Sequence, residues 1–407
     1  MKSDLALHGG KPIRTAGWPE WPQNSPELWE SKIEPALRQV YLSGSEGLPG
    51  RQAKRFAQAF ADFCGAAYGV MTPHGTDALM AALTGALDLD GFNGAGEIIL
   101  PNYTFIATAS AALDRRLSLC FVDVQPDTFT LCPEAAEAAV DPERTRAVLP
   151  VHLGGHPADM ERIVQLAERH GLKTIEDCAQ AHGAEMNGRK VGSMGDAGAF
   201  SFQSSKNLTA GEGGMVVAND EAIRNRVAAF KDVGRHPDGE RWEYPRIGWN
   251  YRPSEYLAAL LSVRLETLEA ETRLRNENAA YLTRQLTDVG GLTPPRLAPY
   301  ASVHGFHLYM CQYDADAFGG RSRAEFCAAL RAEGVPCSAG YMEPLSESPA
   351  LKRLRERRPD LIRVEPCPNV EKAAADSVWL MQNMLLAEQE DMDDIAEAVA
   401  KIRKAFR

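Results

Sequence analysis

Through its middle, the chain alternates short apolar runs with amphipathic stretches, and this alternation limits the possible folds more than any other feature. Glu97 to Leu100, Leu119 to Val122, Ala147 to Val151 and Thr174 to Ile175 read as strands. Pro133 to Val140 and Met160 to His170 read as helices. Strands interleaved with helical segments predict an α/β fold built on a parallel sheet. In such sheets ligands bind beyond the carboxyl ends of the strands, so the residues just after each apolar run are the ones to inspect for chemistry.

The flanks add a frame. The first 50 residues are broken by Gly9-Gly10, Pro12, Trp18-Pro19, Trp21-Pro22 and Pro26. With tryptophans at 18, 21 and 29, they predict an ordered arm with aromatic anchors. Residues 51–65 read as a helix. A long helical pattern follows Arg252-Pro253 and runs to about Leu282, with apolar residues at Leu257, Leu260, Leu261, Val263 and Leu265. Beyond it, His307 to Tyr313 reads as a strand, and Arg323 to Glu333 and Met392 to Phe406 as helices. With 407 residues and 44% hydrophobic content there is material for two units. The expected division is a large domain with its arm over 1–265 and a smaller C-terminal domain over 266–407.

Charge and composition exclude several classes. The formal net charge is -11 with scattered basic residues, so no nucleic-acid partner is expected. No segment approaches the roughly 20 apolar residues of a membrane span, so no membrane association is expected. The opening Met1 to Leu5 lacks a secretory pattern, and the expected location is cytoplasmic. The eight cysteines are dispersed without a Cys-x-x-Cys pair, and no His-x-x-x-His pair occurs. Neither a disulfide framework nor a metal centre is expected.

Four strand-end segments carry candidate chemistry. Ala197 to Phe202 runs into a polar turn bearing Lys206, followed by Gly211, Gly213 and Gly214 and a second apolar run, Met215 to Ala218. A lysine at such a junction can be partly desolvated, which lowers its pKa and makes it a nucleophile toward an aldehyde. Alone, such a lysine is far more often a solvated surface lysine. His74-Gly75-Thr76 opens a helix after Tyr68 to Met71. A helix start with a glycine and a hydroxyl can hold phosphate, or simply cap the helix. Asp177 ends a strand and can pair with a protonated ring nitrogen, or cap a turn. Phe105 follows another strand and can stack on a planar group or pack in the core. Gly248-Trp249-Asn250-Tyr251-Arg252 is a polar-aromatic cluster before the long helix.

Taken together and in this order, Gly75-Thr76, Phe105, Asp177, Ser201 and Lys206 resemble the fold-type I pyridoxal-phosphate enzymes. More narrowly, the chain resembles the DegT/DnrJ/EryC1/StrS family of sugar and cyclitol aminotransferases. Pro101-Asn102-Tyr103-Thr104-Phe105, Val151-His152-Leu153-Gly154-Gly155-His156 and Glu176-Asp177-Cys178-Ala179-Gln180-Ala181-His182-Gly183 support it over nearly the whole chain. The resemblance implies a mostly parallel seven-stranded sheet between helices, plus a smaller C-terminal α/β domain. It implies pyridoxal 5'-phosphate as cofactor, with pyridoxamine 5'-phosphate as the intermediate form. Lys206 would form the Schiff base and shuttle the proton. Asp177 would pair with the pyridine nitrogen, Phe105 would stack on the ring, and Gln180 would lie against it. Gly75, Thr76 and Ser201 would hold the phosphate. Asn250 would reach the phosphate of a neighbouring subunit in a homodimer. Tyr341 and His307 are candidates for substrate contact.

The opening Leu5 to Pro12, the Trp-Pro arm and the C-terminal Ser377 to Leu380 resemble the cyclitol branch and the related aminohydroxybenzoate synthases. That branch implies L-glutamine, or L-glutamate, as amino donor and a ring ketone such as scyllo-inosose as acceptor, in aminoglycoside or related biosynthesis. Three alternatives stand beside it: a nucleotide-linked keto-sugar aminotransferase, a 3-amino-5-hydroxybenzoate synthase acting as a lyase, and a catalytically silent regulatory relative. Intact Lys206 and Asp177 weigh against the last.

Overall fold

The computed structural model describes residues 4–44, 50–90, 95–240 and 242–407. An eight-stranded sheet dominates it. Its strands are β1 (Tyr68–Thr72), β2 (Glu97–Pro101), β3 (Ser118–Val122), β4 (Thr145–Val148), β5 (Lys173–Asp177), β6 (Ala197–Ser201), β7 (Gly214–Ala218) and β8 (Ile362–Val364). They lie in the order β1-β7-β6-β5-β4-β2-β3-β8. Only β7 runs against the rest; the remaining pairs are parallel. Strands β2, β3, β6 and β7 are buried along their whole length. Both faces are therefore covered, which explains why these strands read as continuous apolar runs rather than as an alternation.

Seven strands come from the first 218 residues. The eighth comes from the C-terminal part, where Ile362, Arg363 and Val364 pair with Leu119, Cys120 and Phe121. Arg363 reaches the buried Glu97 from there, with Nη2 donating to Oε1 at 2.7 Å.

The helices follow their apolar spacing. Arg51–Cys64 buries Ala53, Phe56, Ala57, Phe60, Ala61 and Cys64, one stripe at three- and four-residue steps, and stops at left-handed Gly65. Met160–His170 is capped by the Asp159 side chain and closed by Gly171. The long helix spans Glu255–Val289, two turns beyond the Leu282 expected from the sequence. Leu286 continues the buried stripe one turn past Leu282, and Gly290 and Gly291, both at positive φ, end it. Position 265 lies inside this helix.

A second apolar cluster gathers Leu282, Phe318, Phe326, Leu330, Val378, Leu380, Ile395, Val399 and Ile402. It lies around a three-stranded antiparallel sheet of Leu292–Thr293, Leu308–Tyr313 and Ser377–Met381. The helix Arg323–Ala332 beside it opens on a capping box of Ser322 and Glu325. The arm is ordered against this part. Trp18 Nε1 donates to Gly334 O at 2.9 Å, whereas Trp29 is half exposed and anchors less than its size suggested. Among the described residues no helix is long and apolar enough to cross a membrane.

Candidate active site

The parallel strands bring their carboxyl ends to one side of the sheet, and the expected residues gather there. Asp177 is the last residue of β5, Ser201 the last of β6, Gly75 follows β1 and Phe105 follows β2. Asp177 is buried. Its Oδ2 accepts from Thr108 Oγ1 at 2.8 Å and its Oδ1 from Ala179 N at 3.1 Å. Desolvation pushes its carboxyl above the ordinary range, while those two donors and the charge of Lys206 pull it back.

Lys206 sits in the turn after β6, its N–H donating to Gln203 O at 2.9 Å. Burial of its ammonium lowers it from the ordinary lysine value to about 8, with Asp177 opposing the shift. A carboxylate and an amine thus sense each other across a desolvated space, each moved toward its neutral form. This amine is mostly protonated and inert below pH 8 and mostly neutral above it. The rate at which Lys206 captures an added aldehyde therefore rises through a midpoint near pH 8 and then levels, as a pH series of borohydride trapping would show. A midpoint near 10 would mean that the lysine is solvated.

The helix Gly75–Ala86 starts against Ser201. A Cβ on residue 75 would stand 2.5 Å from Ser201 Cβ and 2.9 Å from its Oγ, so only glycine permits this approach. The helix start thus sets its first N–H groups and Thr76 beside Ser201, the kind of end that suits an anion. We expect Gly75→Ala to weaken cofactor binding on the order of tenfold, because overpacking at a tight contact costs about 1–3 kcal/mol. Titration of the cofactor-free protein followed by fluorescence checks this.

Phe105 caps the helix Ile106–Asp114 and is 56% exposed, a large ring left open at the strand end. Gln180 Oε1 accepts from Gly154 N at 2.8 Å. The Tyr341 hydroxyl hydrogen-bonds Gln180, and the Tyr341 ring stands edge-on to Tyr103 and Trp379. The C-terminal part thereby touches the strand ends through Tyr341. His307 is buried beside Asn207, its Nδ1 lying 3.3 Å from Asn207 Oδ1. Burial, then the charge of Lys206, keeps its imidazole well below its ordinary pKa. Its direct contact is with the residue after Lys206. Asn250 is exposed and bridges to Asp232 in the backbone.

Two contacts to the site were not foreseen. Thr108 lies one turn beyond Phe105, and its buried hydroxyl fixes Asp177; its place in the first turn of a strand-end helix was the only available signal. Gly154 supplies the N–H that orients Gln180. His152, Glu176 and Cys178 lie close enough to suggest a metal site. However, Glu176 already accepts from Gly192, Met194 and Gly195 N–H at 2.7–2.8 Å and faces His152 Nε2 at 3.1 Å. His152 Nδ1 accepts from Ala158 N. This cluster braces the turn behind Asp177 through filled lone pairs.

The fold and the lysine–carboxylate arrangement define a fold-type I transferase. Residues 29–400 match the DegT/DnrJ/EryC1/StrS aminotransferase family. The chain is similar to the L-glutamine:2-deoxy-scyllo-inosose aminotransferase of Streptomyces fradiae, at 37% identity over 99% of this chain and 98% of that protein. It is also similar to the L-glutamine:scyllo-inosose aminotransferase of Streptomyces griseus, at 36% identity over 99% and 98%. Among solved structures, DesV of S. venezuelae aligns with a TM-score of 0.82 at 32% identity, covering 93% of this chain and 96% of that one. A 3-amino-5-hydroxybenzoic acid synthase aligns with a TM-score of 0.83 at 28% identity, covering 96% and 99%. The chain belongs to the DegT/DnrJ/EryC1/StrS aminotransferase family.

Proposed function

We propose that this chain is a pyridoxal-phosphate-dependent aminotransferase carrying the amino group of L-glutamine, or L-glutamate, to a ring ketone of a cyclitol such as scyllo-inosose. Its setting would be aminoglycoside or related natural-product biosynthesis. The observation that carries this reading is the electrostatic pairing of Lys206, in the turn after β6, with Asp177 at the end of β5. One is a desolvated amine lowered to about 8 and the other a buried carboxylate raised above its ordinary range. The full-length likeness to two relatives named for cyclitol ketones supports the acceptor.

The residues present suit the cofactor. The cradle of Gly75, Thr76 and Ser201 would take its phosphate, the open Phe105 ring its flat face, and Asp177 its ring nitrogen. Pyridoxal phosphate, when bound, supplies the electron sink of the reaction. The protein's part is to hold the phosphate, keep the ring nitrogen protonated through Asp177, and present Lys206 as nucleophile and proton carrier. Gln180, fixed by Gly154 and Tyr341, would bound the ring on one side. Tyr341 would bring the C-terminal part to the acceptor, and His307 would serve through Asn207.

A homodimer belongs to this reading. Asn250 is exposed, and Trp242, Tyr244 and Ile247 just before it expose large apolar surfaces. Asn250 would then reach the neighbouring subunit's phosphate, with the site at the interface.

The test uses pure protein loaded with pyridoxal phosphate. L-Glutamine alone should convert the cofactor to its amine form. Added scyllo-inosose should restore the original absorbance and yield an aminocyclitol by mass spectrometry. If glutamine converts the cofactor and the cyclitol ketone does nothing, the acceptor assignment fails, and nucleotide-linked keto-sugars are tried next. An aromatic product with loss of water would mark a synthase instead.

A further inference from the structure

The N-terminal arm is fastened at two places that belong to different parts of the molecule. Toward the C-terminal part, Ala6 N and Ile13 N donate to the Glu333 carboxylate at 2.9 and 3.1 Å. Arg14 Nη1 pairs with Asp391 at 2.5 Å and Asp394 at 2.8 Å. Asn383 Nδ2 donates to Pro19 O at 2.6 Å. Toward the sheet, Trp21 Nε1 donates to the backbone carbonyl of Lys206 at 3.1 Å. Arg264 ties the next residues to the same turn, donating to Asn24 Oδ1 at 2.8 Å and to Thr209 O at 2.6 Å.

Trp21 is itself held from behind. The guanidinium of Arg275, fully buried, lies 5.3 Å from the centre of its ring. Arg275 Nε donates to Gln382 Oε1 at 2.9 Å, beside the Asn383 that holds Pro19. Two routes therefore lead from the 382–383 segment to one indole, and the indole N–H ends on the carbonyl of the lysine that would do the chemistry. The Lys206 N–H is already used by Gln203, so Trp21 completes the backbone pairing of that residue.

We propose that Trp21 is a positioning residue for Lys206, and that through the arm the C-terminal part of the chain sets where the lysine sits. The proposal rests on the assignment of Lys206 as nucleophile. Without the indole N–H the Lys206 carbonyl loses its hydrogen-bond partner, and the turn relaxes toward water. The amine then regains solvation and its pKa climbs from about 8 toward the ordinary lysine value.

The experiment compares Trp21→Phe, Asn383→Leu and Lys206→Ala with the wild type, all as full chains. In cofactor-stripped protein, reductive methylation of Lys206 is followed by peptide mass spectrometry across pH. In loaded enzyme, kcat and KM are measured. Trp21→Phe should slow methylation at pH 8 about fivefold, with its midpoint moved up. It should lower kcat about fivefold with KM nearly unchanged, the effect of one lost hydrogen bond. Asn383→Leu should shift both in the same direction by less. If Trp21→Phe lowers only the melting temperature, leaving methylation midpoint and kcat at wild-type values, Trp21 is merely structural and the proposal is overturned. If Trp21→Phe acts but Asn383→Leu does not, coupling to the C-terminal part is overturned. If Lys206→Ala itself still turns over, the underlying lysine assignment has failed, an outcome separate from the other two.

Discussion

Replacing Lys206 with alanine is expected to lower turnover at least about a thousandfold, since it removes nucleophile and acid-base group together. The fold should survive. The Lys206 amine is desolvated and makes no hydrogen bond of its own, so its loss removes an unfavourable burial rather than a supporting contact. The backbone pairing of residue 206, with Gln203 and Trp21, does not depend on the side chain. The variant should thus melt within a few degrees of wild type. Borohydride should no longer fix the cofactor to the chain, and peptide mapping locates the missing label. Retained labelling at another lysine would refute the assignment.

The second large effect is expected at Asp177→Asn. Asparagine keeps the shape, and its carbonyl and amide can still meet Ala179 N–H and the Thr108 hydroxyl. What disappears is the charge. Cofactor-free protein should be as stable as wild type or slightly more so, because the carboxylate is held in an environment that raises its pKa. The loaded enzyme should lose activity on the order of a hundredfold, the scale expected when a buried partner to a cation is neutralised. Calorimetry and single-turnover kinetics on the same samples separate the two. A near-wild-type rate would place the electron-sink role on another group.

These two residues were legible because their surroundings are local. Strands β5 and β6 are short, mostly buried apolar runs; β5 ends on Asp177, and β6 leads into the turn that carries Lys206. The turn after β6 is punctuated by glycines with positive φ at 211 and 213, a pattern visible in the letters alone. Other parts have no local signature. Strand β8 is three residues with arginine at its centre, and it becomes a strand because β3 offers an edge and Glu97 a partner, 266 positions away. His307 was a plausible substrate contact by residue type, yet its neighbour is Asn207, a pairing set by how the turn through Phe306 at φ 45° meets the lysine loop. Trp21 read as an anchor without an address, since nothing nearby in sequence says that an indole will meet the carbonyl of a residue 185 positions on.

The late arrival of β8 bears on how this chain can be cut. A fragment ending at residue 265 would contain seven strands of the large sheet, but β3 would become an outermost strand with its free backbone N–H and C=O groups turned to water. Exposed edges of that kind invite pairing with other chains. The same cut would deprive the fully buried Glu97 of Arg363, its closest cation, and leave it with only the more distant Arg144 at 3.9 Å. Sequence order divides the molecule near the long helix, but solubility does not. Such a fragment should aggregate on expression, and supplying residues 266–407 in trans should rescue it only to the extent that Ile362–Val364 can still dock.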